Sequence, residues 1–116
     1  MLATIGIKSL VEALCLVKPA CEKKSTLPIL QYVKIEVGAG QVYLTADRLD
    51  ARATVSVHTT PGYETQPGAT CVELAALEGL LKKLDKKGIV TLDTSGDRLN
   101  LTVGKIKATL PTLPAD

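Results

Sequence analysis

Between residues 7 and 17 apolar side chains recur every three or four positions, which is the spacing of one face of an α-helix. The apolar positions are Ile7, Leu10, Val11, Leu14 and Val17. Lys8, Ser9 and Glu12 fall on the opposite side, so the pattern predicts an amphipathic helix, although Leu16 also lands on the polar face. We expect the helix to end at Lys18-Pro19, because proline disfavours continuation of a helix.

From Thr26 to Val57 the apolar period changes to two, which is typical of β-strands with one buried face. The alternating apolar positions are Val33, Ile35, Val37, then Val42, Leu44, then Ala53, Val55 and Val57. Gly38-Ala39-Gly40 provides the backbone freedom of a tight turn between the first two strands. We therefore predict an antiparallel meander of three strands.

The second half of the chain repeats this pattern after a predicted loop at residues 59–69, which contains Pro61, Gly62, Pro67 and Gly68. The spacing of Ile5, Ile7, Leu10, Leu14 and Val17 recurs at Val72, Leu74, Leu77, Leu81 and Leu84. The spacing of Val33, Ile35, Val42 and Leu44 recurs at Val90, Leu92, Leu99 and Leu101, with Gly96-Asp97 at the hairpin turn. The sequence thus predicts two pseudo-repeats, 2–57 and 70–110, each with the order β-α-β-β-β.

A chain of 116 residues is close to the usual size of one domain, and neither repeat can bury its apolar faces alone. We therefore predict a single α+β domain over residues 1–116. Its two helices should pack on one face of a joined antiparallel sheet.

Composition excludes several classes of protein. Phe and Trp are absent, which disfavours aromatic platforms for stacking unpaired bases. No apolar run approaches the ~18 residues of a membrane span, and the N-terminus lacks the basic and apolar regions of a secretory signal. We expect a cytoplasmic protein without a membrane partner.

The reactive side chains indicate no catalytic centre. Cys15, Cys21 and Cys71 lack the CxxC spacing of zinc or redox sites, and His58 is the sole histidine, so we expect reduced thiols, no metal and no cofactor. The sequence has no Ser/His/Asp set and no phosphate-binding glycine loop. An enzyme that uses Cys15 or Cys71 is disfavoured, because no basic residue is placed to activate a thiolate.

Positive charge is concentrated in the two predicted helical segments. The chain carries a net charge of +2, while residues 7–24 and 74–87 each contain four lysines against two acidic residues. On a helical wheel Lys82, Lys83 and Lys86 lie opposite the leucines of the second helix. They are either contacts for an anionic partner or solvated lysines that complement the helix dipole.

Three motifs, in order, resemble the bacterial DNA polymerase III β subunit, the sliding clamp. Thr26-Leu27-Pro28-Ile29-Leu30 resembles the TLPIL segment that follows the family's first helix. Residues 44–50, LTADRLD, resemble its L-T-x-T-D-L-E turn, and residues 112–116, TLPAD, resemble the end of its first domain. Asp47-Arg48 departs from the family's Thr-Asp. The resemblance covers essentially the whole chain and implies a clamp N-terminal domain.

The resemblance implies a processivity factor for DNA replication, an accessory subunit rather than an enzyme, whose helices line a channel around duplex DNA. Lys24, just before the TLPIL segment, is the first candidate for DNA contact, with Lys23 beside it. The remaining candidates follow from the wheel and the charge count: Lys8, Lys82, Lys83 and Lys86. Expected partners are duplex DNA without sequence preference, other clamp domains or subunits, and replication proteins, with no small-molecule substrate.

The length and the last strand bear on assembly. Family members usually carry three such domains, and the family's peptide pocket lies between the second and third, so we expect no such pocket here. A strand predicted from Gly104 to Leu110 should lie at a sheet edge, and the resemblance gives its Lys105 and Lys107 a role at a subunit interface. We expect a monomer or weak dimer. The alternative function is a stand-alone interaction module or clamp competitor that keeps the fold and forms no ring.

Overall fold

The computed structural model describes residues 1–20, 32–38, 40–47, 52–85 and 87–113. The first half contains β1 (Leu2–Gly6), α1 (Ile7–Val17), a short 3-10 turn (Lys18–Ala20), β2 (Tyr32–Gly38), β3 (Gln41–Asp47) and β4 (Arg52–His58). The second half contains β5 (Gly68–Glu73), α2 (Leu74–Leu81), β6 (Ile89–Ser95), β7 (Arg98–Val103) and β8 (Ile106–Pro111). The order β-α-β-β-β thus occurs twice along the chain.

The described strands form two antiparallel sheets of four strands each. Each sheet contains three strands from one half of the chain and the opening strand of the other half. The first sheet has the order β4-β3-β2-β5, and the second sheet has the order β1-β6-β7-β8. β5 therefore pairs with β2, where Val72 faces Val33, while β1 pairs with β6, where Ile5 faces Val90. The predicted α+β class with two helices is confirmed, and exchange of the first strands is a feature that the apolar spacing does not indicate.

Backbone bridges join the two sheets. The N–H groups of Leu2 and Gln66 each donate to the other's carbonyl, at 3.0 and 2.8 Å. Cys71 of β5 and Leu113, just beyond β8, form a second reciprocal pair at 3.2 and 2.9 Å. The two halves are thus linked by strand exchange and by these bridges.

Helix α1 begins and ends where the apolar spacing predicts. Ile7, Leu10, Ala13, Leu14 and Val17 are buried, whereas Leu16 is 65% exposed on the polar side. The buried face packs on β3 and β4 of the first sheet. Because α1 also contacts α2, and α2 contacts β5 of the same sheet, the helices lie side by side on one face.

Helix α2 is shorter than its apolar spacing suggests, because it ends at Leu81 rather than at Leu84. The N–H groups of Lys83 and Leu84 donate to carbonyls three residues back, at 3.2 and 3.1 Å, so the last turn tightens. The Asp85 carboxylate then accepts the N–H of Lys87 at 3.0 Å. This local bond competes with continued helix and turns the chain towards β6.

The core lies between the helices and the inner faces of the sheets. On β2, Val33, Ile35 and Val37 are at most 3% exposed and alternate with Lys34 and Glu36. Since alternate side chains of a strand point to opposite faces, Lys34 and Glu36 lie on the face away from the helices. The large aliphatic side chains of this core replace the phenylalanine and tryptophan residues that the sequence lacks.

Candidate nucleic-acid interface

The segment from α2 to β6 runs alongside α1 and meets it at both ends. At one end the N–H of Ile7 donates to the carbonyl of Gly88 at 3.0 Å, so their chain neighbours Lys8 and Lys87 lie close to the same bond. At the other end the Lys18 ammonium donates to the Glu78 carboxylate at 3.0 Å. Lysines from both halves of the chain are therefore brought together by the packing of the helices.

We call this set the basic surface, and it consists of Lys8, Lys18, Lys82, Lys83 and Lys87. Lys8, Lys82, Lys83 and Lys87 are exposed, whereas the Lys18 side chain is only 33% exposed. The local sequence explains their position, since Lys8 falls on the polar side of α1 and the others stand at or beyond a helix end. Cations near a helix C-terminus interact favourably with its dipole, and lysine ammonium groups also attract phosphate.

The carboxylate of Glu78 contacts two lysines of the basic surface. Its Oε1 atom lies 3.0 Å from the Lys18 ammonium and 3.7 Å from the Lys82 ammonium, and its side chain is 13% exposed. Lys82 stands one helical turn after Glu78, while Lys18 comes from the 3-10 turn after α1. One carboxylate thus faces two ammonium groups.

The lysines predicted to contact DNA lie in different parts of the structure. Lys8, Lys82 and Lys83 are exposed beside the paired helices, although Lys82 caps α2 and Lys83 lies in the following turn, so their predicted place within the helix is wrong. Lys23, Lys24 and Lys86 lie outside the described residues.

The structure adds Lys18 and Lys87 to the candidates for DNA contact. Both were part of the charge surplus of the helical segments, but Lys18 marks a helix end and Lys87 follows the helix. Their nearness to the other lysines depends on the contact between α1 and the segment after α2. A charge count along the sequence shows that lysines are frequent in these two segments. It does not show which lysines lie close together in the fold.

The two lysines assigned to a subunit interface occupy different positions. β8 is an edge strand, as predicted, and Lys107 is exposed within it, opposite Thr102 of β7. Lys105 instead lies in the two-residue turn before β8, after Gly104 with a φ of 58°. The prediction that the strand begins at Gly104 is therefore wrong, because Gly104 and Lys105 form the hairpin that connects β7 to β8.

The described residues also bear on a catalytic thiol, a membrane span and a metal site. Within the described ranges Cys15 is exposed on α1 and Cys71 is buried in β5. Neither described helix is long and apolar enough to cross a membrane. In the same part of the chain, three or more potential metal ligands do not cluster.

Comparison with known proteins identifies the family. Residues 1–116 match the family model described as DNA polymerase III beta subunit, N-terminal domain. The beta sliding clamp of Pseudomonas putida is 29% identical over 113 residues, which are 97% of this chain and 30% of that protein. The beta sliding clamp of Caulobacter vibrioides is 31% identical over 123 residues, which cover 99% of this chain and 31% of that protein.

Solved structures agree with this result. The crystal structure of a DnaN sliding clamp from Pseudomonas aeruginosa matches with a TM-score of 0.91 and 29% identity, over 99% of this chain and 31% of that chain. The chain thus spans about three tenths of the length of these relatives. It belongs to the DNA polymerase III beta subunit family and corresponds to the N-terminal domain.

Proposed function

We propose that this chain is a sliding-clamp domain that supplies part of the inner wall of a ring around duplex DNA. The observation that carries the proposal is the basic surface, where lysines from both repeats lie beside the paired helices. The family match and the names of the relatives support the same function. The domain catalyses no reaction, and it acts in the cytoplasm, where replication takes place.

The proposed contact is weak and independent of base sequence. Lysine ammonium groups attract backbone phosphates, and those phosphates carry no sequence information. Exposed lysines with long flexible side chains can exchange one phosphate for the next as the ring moves. Retention on DNA would then come from the closed ring, and tight individual contacts would only hinder sliding.

The first test measures binding of this chain to two 30-base-pair duplexes of unrelated sequence by fluorescence anisotropy. Both duplexes should bind equally, and affinity should fall steeply as salt rises, because each phosphate contact contributes roughly −0.9 to the slope of log K against log salt. Marked preference for one duplex, or binding that does not respond to salt, would contradict the proposed contact.

A second candidate function is an interaction module that has lost the ring. The open edge of β8 favours it, since Ile106 at this edge is 57% exposed. Gel filtration of this domain together with the subunits that complete its ring, with a nicked circular plasmid and with the same plasmid linearised, separates the two. A ring is retained on the circle and lost from linear ends, whereas an open module is retained equally on both.

Assembly is a separate prediction. Lysines facing each other across paired β8 strands would repel, so we expect a monomer or a weak dimer of this chain rather than a ring of six copies. Sedimentation velocity at tens of micromolar measures this directly. A stable hexamer would show that this single domain closes a ring on its own.

A further inference from the structure

The Glu78 carboxylate is an acidic group that lies among the lysines of the basic surface. Its side chain is 13% exposed and lies between the ammonium groups of Lys18 and Lys82, at 3.0 and 3.7 Å. The two lysines alone carry a charge of +2, whereas the two lysines and Glu78 together carry +1. Glu78 thus removes half of the positive charge that these two lysines would present.

Partial burial makes this contact more effective than an exposed ion pair. Charges at a protein surface are screened by salt, whereas partly buried pairs are screened much less. Lys18 is itself only 33% exposed, and its contact with Glu78 joins the end of α1 to α2. A phosphate that attracts Lys18 must therefore compete with a carboxylate that is already in place.

The neighbouring Lys83 provides a contrast within the same turn. It is exposed, and its side chain has no ion pair or hydrogen bond among the described contacts. Lys82, one residue earlier, faces Glu78. In this turn Lys82 thus faces the Glu78 carboxylate, whereas the Lys83 ammonium faces no described carboxylate.

We propose that Glu78 is a positioning residue that limits DNA affinity by holding Lys18 and Lys82 away from phosphate. This inference rests on the proposed function and deepens it. By weakening the lysine–phosphate contacts, Glu78 keeps the inner surface attractive to DNA without fixing it to one position. Loss of Glu78 should strengthen binding and steepen its dependence on salt.

The test compares Glu78→Gln with Glu36→Gln, a control that changes net charge equally on the sheet face away from the helices. Binding of a 30-base-pair duplex is measured by anisotropy over a range of salt concentrations. In 0.1 M salt each released lysine should raise affinity roughly 8-fold and make the salt slope steeper by about 0.9. The control should bind like the parent protein.

A second readout is independent of DNA. Acetylation of lysine amines, followed by mass spectrometry, should proceed several-fold faster at Lys18 in Glu78→Gln, with Lys107 as the internal reference. Circular dichroism establishes that the variant is folded. Should it fail to fold, Lys83→Gln and Lys82→Gln replace it, and the loss of affinity should be larger for Lys83→Gln.

The outcomes distinguish the inference from the function on which it rests. If the parent protein and Glu78→Gln both fail to bind duplex at low salt, the proposed function fails and takes this inference with it. If the parent binds but Glu78→Gln gains no affinity, or gains no more than Glu36→Gln, only the role of Glu78 is refuted. Equal losses for Lys82→Gln and Lys83→Gln would refute that role as well.

Discussion

Replacing Leu14 by alanine tests the assigned buried face of α1. Leu14 is 1% exposed, so the change removes three carbon atoms from a closed environment. At about 0.8 kcal/mol for each buried carbon the loss is about 2.4 kcal/mol, and the cavity left behind adds to it. We expect the free energy of unfolding to fall by about 3 kcal/mol. The free energy of unfolding of a typical domain is roughly 5–15 kcal/mol, so the variant should remain folded.

Leu16→Ala is the matched control, because it makes the same chemical change two residues away on the same helix. Leu16 is 65% exposed, and its loss should change stability by about 0.5 kcal/mol or less. Urea unfolding followed by circular dichroism measures both. With an m-value of roughly 2 kcal/mol per molar, the midpoint should fall by about 1.5 M for Leu14→Ala and by about 0.25 M or less for the control. Equal shifts would refute the assigned helix orientation.

Three further predictions concern two glycines and a pair of lysines. A Cβ added to Gly68 would lie 2.9 Å from Met1 Cβ and 3.0 Å from Met1 N, so Gly68→Ala should lower stability by about 1–3 kcal/mol, seen as a lower Tm. Gly79→Ala should raise the Tm, because the Cβ meets nothing within 4 Å and alanine favours a helix by about 1 kcal/mol. Lys24→Glu combined with Lys83→Glu should weaken duplex binding without unfolding the protein, and unchanged affinity in anisotropy would remove both lysines from the site.

The two helices show how far apolar spacing determines local structure. For α1 the apolar face is regular and the proline at position 19 marks an end, so both bounds could be predicted. For α2 the spacing continues to Leu84, but the Asp85 carboxylate binds the Lys87 N–H and the helix ends earlier. Periodicity reports which side chains are apolar, and it does not report such local competition for backbone groups.

The partner of each strand and the contacts of each lysine are harder to predict from the sequence. The repeated spacing predicts a strand with Ile5 before α1, but it cannot identify β6 as the partner, because that choice depends on both repeats packing together. The same holds for Lys18 and Glu78, which are 60 positions apart in the sequence. Motif resemblance supplied Lys24 as a candidate, whereas the contact at Glu78 follows only from the fold.

The exchange of first strands has a consequence for the order in which the protein folds. Pairing places Leu2 opposite Asp93 and Gly6 opposite Ile89, so β1 is synthesised well before its partner β6. The hairpins of β2, β3 and β4 need only near neighbours and can form much earlier. Pairing between distant segments slows folding, since the entropy of loop closure is lost before the contacts form. We therefore expect chains that end before residue 89 to expose the apolar side of β1, and a chain that includes β6 to fold this domain in one cooperative step.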